Sequence, residues 1–339
     1  MSAPIPMALA SNRRTAAFER RVAQALAAPV PIGTPAVVAC SGGPDSLATL
    51  VAVARTRSAG SVTAAHFDHR LRPALEIAGE RSLVESVAAS VGASFLGGRA
   101  PRTPTDRGES AARAARYRWL AHVCAQTGAV SCLTGHHLDD QAETVLLRLA
   151  RGTGLRGAAG MSSRADWPVS ARGARALSLV RPLLAITRAD IEGYLGALGL
   201  EPARDSTNDA LDYARNRVRQ RVLPELRAIN PTAAAQIAAF ADRARDDDQA
   251  LEAWAAQVAT THVRVIPGGM EIDRAALLDL PRAVASRVIR QAAARINLVL
   301  DAEHIDAVLH AARAGGRRAA LGGGIEAWRR GEQLVLART

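Results

Sequence analysis

The sequence feature that most constrains the fold is an alternation of short apolar runs with segments of helical periodicity in the amino-terminal part of the chain. The runs at residues 36–40 (AVVAC) and 61–67 (SVTAAHF) contain β-branched residues and are bounded by turn residues. Such runs predict buried strands. Because strands that alternate with helices build parallel sheets covered on both faces, we predict an α/β protein with a doubly wound parallel sheet.

The same patterns continue along the chain. Polar clusters follow Cys40, Phe67 and Thr134, where three of the predicted strands end. Ligands of doubly wound sheets lie beyond the carboxyl ends of the strands, so we expect the functional site among these clusters. Further strands are predicted at 94–96, 130–134 and 177–180, and helices at 15–28, 47–57, 78–91, 110–126, 139–150 and 188–198.

Beyond Pro231 the sequence changes character. Long Ala-rich helical patterns and two hairpin-like segments, VRVIPGGMEID and IEAWRRGEQLVL, replace the alternation of strands and helices. We therefore predict an α/β domain with a helical extension over residues 1–228 and a smaller, mainly helical domain over residues 229–339. The boundary is expected between Leu223 and Pro231.

The absence of lysine excludes several classes of enzyme. All 43 basic residues are arginine, and the net charge is +11. A GxxxxGK[ST] phosphate loop, a protein kinase and a Schiff-base enzyme each need a lysine, so all three are excluded. The positive charge favours a polyanionic partner, while an aromatic content of 3% is too low for a protein that holds nucleic acid mainly by base stacking.

The cysteines and the hydropathy of the sequence indicate the cellular compartment. Cys40, Cys124 and Cys132 form no CxxC pair, which argues against a disulfide framework. The sequence contains no apolar run long enough to span a membrane and no secretory signal at its start. We expect a cytoplasmic protein with no membrane partner. No protein partner is implied, and a homodimer stays open.

Residues 41–46 (SGGPDS) separate the first strand from a helix. The two glycines permit the backbone angles that turn N–H groups toward an anion, and the helix adds the positive end of its dipole. A loop without lysine suits a pyrophosphate that leaves as a unit after attack at the α-phosphate, and Asp45 is best explained as a Mg²⁺ ligand. The alternative is a turn whose Ser and Asp residues cap the helix. The predicted phosphate-binding residues are Ser41, Gly42, Gly43, Pro44, Asp45 and Ser46.

In this context the loop resembles that of the PP-loop ATP pyrophosphatase superfamily, with its Rossmann-like sheet. A longer segment at residues 134–154, TGHHLDDQAETVLLRLARGTG, closely resembles the second signature of the tRNA(Ile)-lysidine synthetase family. The resemblance covers most of residues 36–231, and longer members carry a further C-terminal domain that this chain is expected to lack. Shorter motifs agree in order: HFDHRLR (66–72), ESAARAARYRWL (109–120), RPLL (181–184), DSTN (205–208) and RNRVRQRVLPEL (215–226).

This resemblance implies an ATP-dependent ligase that acts on the wobble cytidine of the isoleucine tRNA with the anticodon CAU. The 2-oxo group of the cytidine would attack the α-phosphate of ATP. The ε-amine of free L-lysine would then displace AMP, giving lysidine. The implied cofactors are ATP and Mg²⁺, the implied partners are this tRNA and L-lysine, and the C-terminal domain would bind the tRNA.

The resemblance also implies roles for single residues. Arg116, Arg215 and Arg219 would neutralise phosphate charge or anchor RNA, although each alone also fits a solvated helix face. Asp140 would orient or deprotonate the lysine amine, and His136 would contact the leaving pyrophosphate. The candidate catalytic residues are therefore Asp45, Arg116, His136, Asp140, Arg215 and Arg219.

Several interpretations stay open. His66 resembles the nucleotide-contacting segment of the family, but a single such histidine is often structural. The segment at residues 151–157, RGTGLRG, fits either a mobile loop over the wobble base or an ordinary glycine-rich connection. Zinc is disfavoured beside His136 because no further ligand follows at zinc spacing.

Two other functions compete with lysidine formation. A tRNA cytidine thiolase would share the loop, but this class generally carries cysteine pairs that the chain lacks. A non-catalytic nucleotide- or RNA-binding module would be expected to have lost Asp45 or the HHLDD cluster, and both are present.

Overall fold

The computed structural model describes residues 9–58, 60–70, 73–100, 109–171, 174–203, 214–314 and 318–338. The chain divides into two compact units, the first ending at Ala241 and the second beginning at Asp242. This division falls within one long helix, downstream of the boundary expected near residues 223–231. The functional domains 1–228 and 229–339 stay a prediction, because compactness alone does not show which part carries which function.

The first unit contains a six-stranded sheet. Its strands are β1 (Ala36–Ala39), β2 (Val62–Asp68), β3 (Ser94–Arg99), β4 (Ser131–Leu133), β5 (Arg164–Asp166) and β6 (Ser178–Val180). Their order is β3-β2-β1-β4-β6-β5, and every neighbouring pair is parallel except β5 with β6. The predicted parallel sheet is confirmed. The sequence does not predict β5, because its three residues form no apolar run.

Helices cover both faces of this sheet. They are α1 (Arg13–Leu26), α2 (Pro44–Thr56), α3 (Ala74–Ser90), α4 (Glu109–Thr127), α5 (Leu138–Ala150), α6 (Leu155–Ala158) and α7 (Arg188–Leu198). On β1, Val38 packs in a core with residues of α1, α2, α3 and α7, whereas Val37 packs in a second core with Leu120 of α4. Successive strand residues point to opposite faces, so the doubly wound arrangement follows directly from this alternation.

A helical extension follows α7 in the first unit. It consists of α8 (Ala214–Arg217), a π-helical turn (Val218–Val222) and α9 (Leu223–Ile229). Leu223 is buried in a small core with Leu138 and Ala142. The extension therefore packs against the first turns of α5.

The second unit has its own core and its own sheet. Helix α10 (Ala233–His262) continues into it from the first unit. Its further elements are β7 (Val263–Ile266), β8 (Gly269–Asp273), α11 (Arg274–Leu278), α12 (Arg282–Arg295), α13 (Ala302–Arg313), β9 (Arg318–Gly322), β10 (Ile325–Arg330) and β11 (Gln333–Arg338). The strands form an antiparallel sheet in the order β7-β8-β11-β10-β9. The pairs β7/β8 and β10/β11 confirm the two predicted hairpins within a mainly helical unit.

Among the described residues, no helix is long and apolar enough to cross a membrane.

Candidate functional site

The candidate site lies where the winding of the sheet reverses direction. Strand β1 pairs with β2 on one side and with β4 on the other, and the connections that leave β1 and β4 begin at the same edge. Residues 41–46 follow β1, and Gly135, His136 and His137 follow β4. A reversal of this kind opens the crevice in which doubly wound proteins bind ligands.

The loop at residues 41–46 is closed by its own hydrogen bonds. The Ser46 hydroxyl donates to the Gly43 carbonyl at 2.9 Å, and the Ser41 N–H donates to Ser46 Oγ at 3.2 Å. Gly42 has a φ of +90°, which favours glycine, and Pro44 occupies the first turn of α2, where a missing N–H costs nothing. The predicted residues thus form one compact turn at a helix N-terminus.

Gly135 allows the connection after β4 to lie directly on this helix start. A Cβ atom at Gly135 would lie 2.7 Å from both the carbonyl carbon and the carbonyl oxygen of Asp45. No side chain fits there without moving the backbone. The glycine therefore brings the histidines that follow it next to Asp45.

His137 stands between two carboxylates. Its Nε2 atom lies 3.7 Å from Asp45 Oδ1 and 3.6 Å from Asp140 Oδ2. The Asp139 N–H donates to His137 Nδ1 at 3.2 Å, and the His137 N–H donates to Asp140 Oδ2 at 3.0 Å, which together form a capping box at the start of α5. Because Nδ1 accepts a hydrogen bond, the neutral ring carries its proton on Nε2, facing the two carboxylates.

The two carboxyl groups differ in their ionisation. Burial raises the pKa of Asp45, and the neighbouring Asp140 adds to this effect. Burial would also raise the pKa of Asp140, but His137, Arg215 and the backbone N–H of His137 outweigh it and hold that pKa below its ordinary value. Asp140 is thus firmly ionised at neutral pH, while Asp45 is the less stabilised anion.

His136 is a neutral side chain in this environment. Its Nδ1 atom lies 2.8 Å from the Thr134 hydroxyl. Burial lowers the pKa of His136 to about 3, and the charges of Arg181, Arg215 and Arg113 act in the same direction. Any contact of His136 with a phosphate therefore rests on hydrogen bonding.

His66 lies at the end of β2 and is 3% exposed. Its Nδ1 atom lies 3.0 Å from the Cys40 carbonyl oxygen, and its buried Nε2 atom has no hydrogen-bond partner among the described residues. Burial lowers its pKa. The structure thus places His66 beside the last residue before the loop.

Arg215 and Arg219 are bound by carboxylates of α5. Arg215 donates to Asp140 Oδ1 and Glu143 Oε2, both at 2.7 Å. Arg219 donates to Glu143 Oε1 at 2.6 Å and to Asp140 Oδ1 at 3.2 Å. Glu143 is 0% exposed, so it is a fully buried anion held by two guanidinium groups. The sequence alone predicts no role for Glu143: its place one helical turn after Asp140 puts both carboxylates on one face of α5, but it does not identify the arginines that bind them.

Arg116 makes none of these contacts. It lies on α4 with its guanidinium carbon 5.5 Å from the centre of the Tyr117 ring, and its buried Nε has no partner among the described residues. The structure therefore brings together Asp45, Asp140, Arg215 and Arg219 of the predicted catalytic residues, with His136 close to them. It places Arg116 in a different cluster.

The glycine-rich segment after α5 is held by hydrogen bonds from side chains of that helix. Arg148 donates to the carbonyl oxygens of Gly157 and Gly160 at 3.0 and 2.8 Å, and the Gln141 amide bonds both backbone groups of Met161. These contacts favour an ordered connection over a mobile loop. The motif DSTN and the last two residues of HFDHRLR lie outside the described residues.

Among the described residues, no group of three or more His, Cys, Asp or Glu side chains could hold a metal ion. Mg²⁺ that arrives with a nucleotide needs only one or two carboxylates, because phosphate oxygens and waters complete its shell. The half-buried Asp45 carboxylate, beside the phosphate loop, fits this requirement.

The fold and the loop define a PP-loop protein, and the comparisons agree. A family model described as the PP-loop domain matches residues 15–226. A tRNA(Ile)-lysidine synthase from Methylobacterium nodulans is 41% identical over 264 residues, covering 77% of this chain and 74% of its own length. A second tRNA(Ile)-lysidine synthase, from Salinispora arenicola, is 39% identical over 339 residues, covering 95% of this chain and 96% of its own length. The chain belongs to the tRNA(Ile)-lysidine synthase family.

A solved structure supports the fold. The U34-tRNA thiolase from Methanococcus maripaludis matches with a TM-score of 0.55 at 15% identity, covering 68% of this chain and 78% of the thiolase. At this identity the likeness shows a shared fold only.

Proposed function

We propose that this ATP-dependent ligase joins L-lysine to C2 of the wobble cytidine in tRNA(Ile) with the anticodon CAU. The reaction would consume ATP and release AMP and pyrophosphate. Family membership supports this proposal at the level of lysidine formation. The observation that carries the residue-level mechanism is the pair of carboxylates, Asp45 and Asp140, on either side of His137 next to the phosphate loop.

In the first step, the cytidine O2 atom attacks the α-phosphorus of ATP, and the bond to the β-phosphate breaks. The turn formed by residues 41–46 would hold the departing pyrophosphate with its N–H groups and hydroxyls. When the Thr134 hydroxyl donates to His136 Nδ1, the Nε2–H of His136 is free to donate to the same leaving group. Arg116 would neutralise phosphate charge, and His66 would contact the nucleotide.

Asp45 would hold Mg²⁺ together with phosphate oxygens. A bound Mg²⁺ supplies positive charge where negative charge develops on the phosphates. Burial raises the pKa of Asp45, and a cation bound beside it would offset this penalty on the ionised carboxylate.

In the second step, the lysine ε-amine attacks C2, the bond from C2 to the activated oxygen breaks, and AMP leaves. The incoming lysine carries a positive charge, and Asp140 is an ionised carboxylate that would orient it. Arg215 and Arg219 already bind this carboxylate, so its lowered pKa makes it a better orienting group than a base. Because only a neutral amine has a lone pair, the oriented ammonium would first lose one proton to solvent, and the adduct would lose a second proton to solvent after AMP leaves.

The alternative, a cytidine thiolase, is less well supported. All three cysteines of the chain, Cys40, Cys124 and Cys132, are free and buried in hydrophobic cores. Burial raises the pKa of the Cys40 thiol, and the hydrogen bond with Cys124, together with burial, raises the pKa of the Cys132 thiol, so these two sulfurs are poor nucleophiles and poor cluster ligands.

The test is incubation of the full chain with ATP, L-lysine and a tRNA(Ile) transcript, followed by nuclease digestion and mass analysis of the nucleosides. We expect a cytidine heavier by one lysine less one water, and equal amounts of AMP. A parallel reaction with a sulfur donor in place of lysine should give no thiolated cytidine. Thiolation without lysidine would contradict the proposal.

Three further points belong to this proposal. The C-terminal part of the chain would contribute to tRNA binding through its exposed arginines. The protein would act in the cytoplasm, where its substrates occur together. A homodimer stays a prediction, which sedimentation of the full chain tests.

A further inference from the structure

A second group of arginines lies around Tyr117 in the first unit, and it has no carboxylate partner among the residues that the structure describes. The guanidinium carbons of Arg113 and Arg116 lie 5.2 and 5.5 Å from the centre of the Tyr117 ring. Arg181, the residue after β6, is only 8% exposed. Within the part of the chain that the structure describes, no carboxylate oxygen lies within 4.0 Å of these arginines or of Arg148.

Hydrogen-bond donors without acceptors collect at the same place. The buried Nε atoms of Arg116 and Arg181, the Tyr117 hydroxyl and the Trp167 indole nitrogen all lack a partner among the described residues. The rings of Tyr117 and Trp167 meet edge to face with their centres 5.4 Å apart. Buried donors are nearly always paired in proteins. A cluster of unpaired donors and positive charges therefore calls for an anion with several acceptor oxygens.

The guanidinium groups are held in place for such a ligand. Arg181 Nη1 donates to the Ser162 carbonyl at 2.6 Å, and Arg148 Nη1 donates to the Gly157 and Gly160 carbonyls. These bonds orient the side chains but do not neutralise them. Burial lowers the pKa of Arg181, and the charges of Arg113 and Arg148 lower it further. A bound anion would offset both the burial and the repulsion between these positive charges.

The strand register places this cluster at the same edge as the phosphate loop. Val38 pairs with Leu133, and Leu133 pairs with Val180, so Arg181 follows β6 at the level where β1 ends. Two strand spacings separate them, about 10 Å. This spacing between the strand ends leaves room for the loop and Arg181 to hold two different phosphate groups.

We propose that Arg113, Arg148 and Arg181, with the Tyr117 hydroxyl, form a second phosphate-binding site, and that it takes a backbone phosphate of the RNA substrate beside the modified nucleotide. The RNA assignment rests on the proposed function. A phosphate of ATP is the other source of the same chemistry, and the experiment separates the two.

The experiment compares Arg181→Gln and Arg113→Gln in the full chain with a matched control, Arg57→Gln. Arg57 also lacks a carboxylate partner among the described residues and donates to the carbonyls of Val30, Pro31 and Thr34. It follows the far end of α2, about 20 Å from the loop. The control reports any loss that comes only from removing a carbonyl-bound guanidinium.

Two quantities are measured for each variant: tRNA(Ile) affinity as a function of salt, and the KM for ATP. For Arg181→Gln and Arg113→Gln we expect tRNA affinity to fall about tenfold. The log–log salt slope should become less steep by about 0.7 to 0.9 for one lost phosphate contact. The KM for ATP should stay within about twofold, and Arg57→Gln should match the wild type in both measurements.

The outcomes are distinct. A rise in the KM for ATP with unchanged tRNA binding would assign the phosphate to the nucleotide and overturn the RNA site, and no change in either quantity would overturn the anion site itself. If Arg181→Gln does not fold, the test rests on Arg113→Gln, because Arg113 is exposed and its replacement leaves the core intact. A wild-type chain that binds tRNA with the expected slopes but forms no lysidine would contradict the proposed function and leave this site standing.

Discussion

Two groups of arginines in the first unit differ in what balances their charge. Arg215 and Arg219 each bind both Asp140 and Glu143, whereas Arg116 and Arg181 have no carboxylate partner among the described residues. The first group holds the helical extension against α5, and Arg215, with His137, lowers the pKa of Asp140. In the second group, the buried Nε atoms of Arg116 and Arg181 have no hydrogen-bond acceptor among the described residues. An arginine in a motif therefore does not bind phosphate merely because it is basic.

The carboxylate contacts of Arg215 and Arg219 bear on the roles that the sequence predicts for them. Arg215 and Arg219 were expected to contact phosphate or RNA, and that role stays a prediction. For either to reach a phosphate, its contacts with a buried carboxylate would have to weaken. The geometry favours a different contribution, in which both arginines position Asp140 and Arg215 helps His137 to lower its pKa.

The largest expected effect comes from removing the anion that the first group shares. Glu143→Gln should lower the free energy of unfolding by about 3 to 5 kcal/mol, because it leaves two partly buried guanidinium groups without a full partner. Urea unfolding measures this. The exposed pair of Arg188 and Glu192 supplies the control, since Glu192→Gln should cost less than about 0.5 kcal/mol. Equal effects of the two changes would show that the buried cluster is not a structural unit.

The next test sets one arginine of each group against the other. Arg219→Gln should lower the free energy of unfolding by about 2 to 3 kcal/mol, because Glu143 loses a charged partner. Arg116→Gln should change stability by less than about 1 kcal/mol, since its Nε has no acceptor to lose, yet it should lower kcat/KM about 100-fold. Denaturant curves and AMP release measure the two effects. A larger loss of stability in Arg116→Gln than in Arg219→Gln would contradict the assignment of the two arginines to different groups.

Asp140→Asn separates the two half-reactions. If Asp140 orients the lysine ammonium, its removal should slow lysidine formation at least about tenfold more than adenylation, because the lysine ammonium enters only in the second step. An adenylated tRNA intermediate should then accumulate in the mass spectrum. Asp45→Asn is the matched change on the other side of His137, and we expect it to stop adenylation itself. An equal loss of both steps in Asp140→Asn would assign Asp140 to nucleotide binding.

The pH dependence of stability tests the neutral state of His136. Its folded pKa is about 3, against about 6.5 in an unfolded chain, so below pH 6.5 the unfolded state binds a proton that the folded state does not. Stability should therefore fall as the pH drops below 6.5. Between pH 7 and pH 5 the wild type should lose about 1 to 2 kcal/mol more than His136→Gln. The exposed His122 on α4 is the control position, and an unchanged pH profile in His136→Gln would refute the assignment.

The smallest effects are expected in the second unit. Arg290 and Arg295 are exposed on α12, and neither has a carboxylate partner among the described residues. Changing each to Gln should weaken tRNA binding by about twofold to threefold and reduce the salt slope by less than a full phosphate contact. Arg282, which pairs with Asp306, should have no effect when changed. Equal losses at all three positions would indicate a diffuse charge effect.

The sequence by itself determined most of the fold and the position of the phosphate loop. The runs that became β1, β2, β4 and β6 were readable because their apolar residues repeat over a few positions, and Gly42 and Pro44 mark the turn before α2 through their own backbone preferences. These signals are local. They need no knowledge of what the segment later touches.

The partners of the charged side chains were decided only by the tertiary structure. Glu143 meets Arg215 and Arg219 across more than 70 residues of chain, and nothing near these residues in the sequence indicates the pairing. The edge strand β5 has no apolar pattern of its own and exists only because β6 offers a free edge. The π-helical turn and the unpaired donors around Tyr117 likewise depend on packing. Periodicity is a property of neighbours along the chain, whereas the compensation of charge depends on neighbours in space.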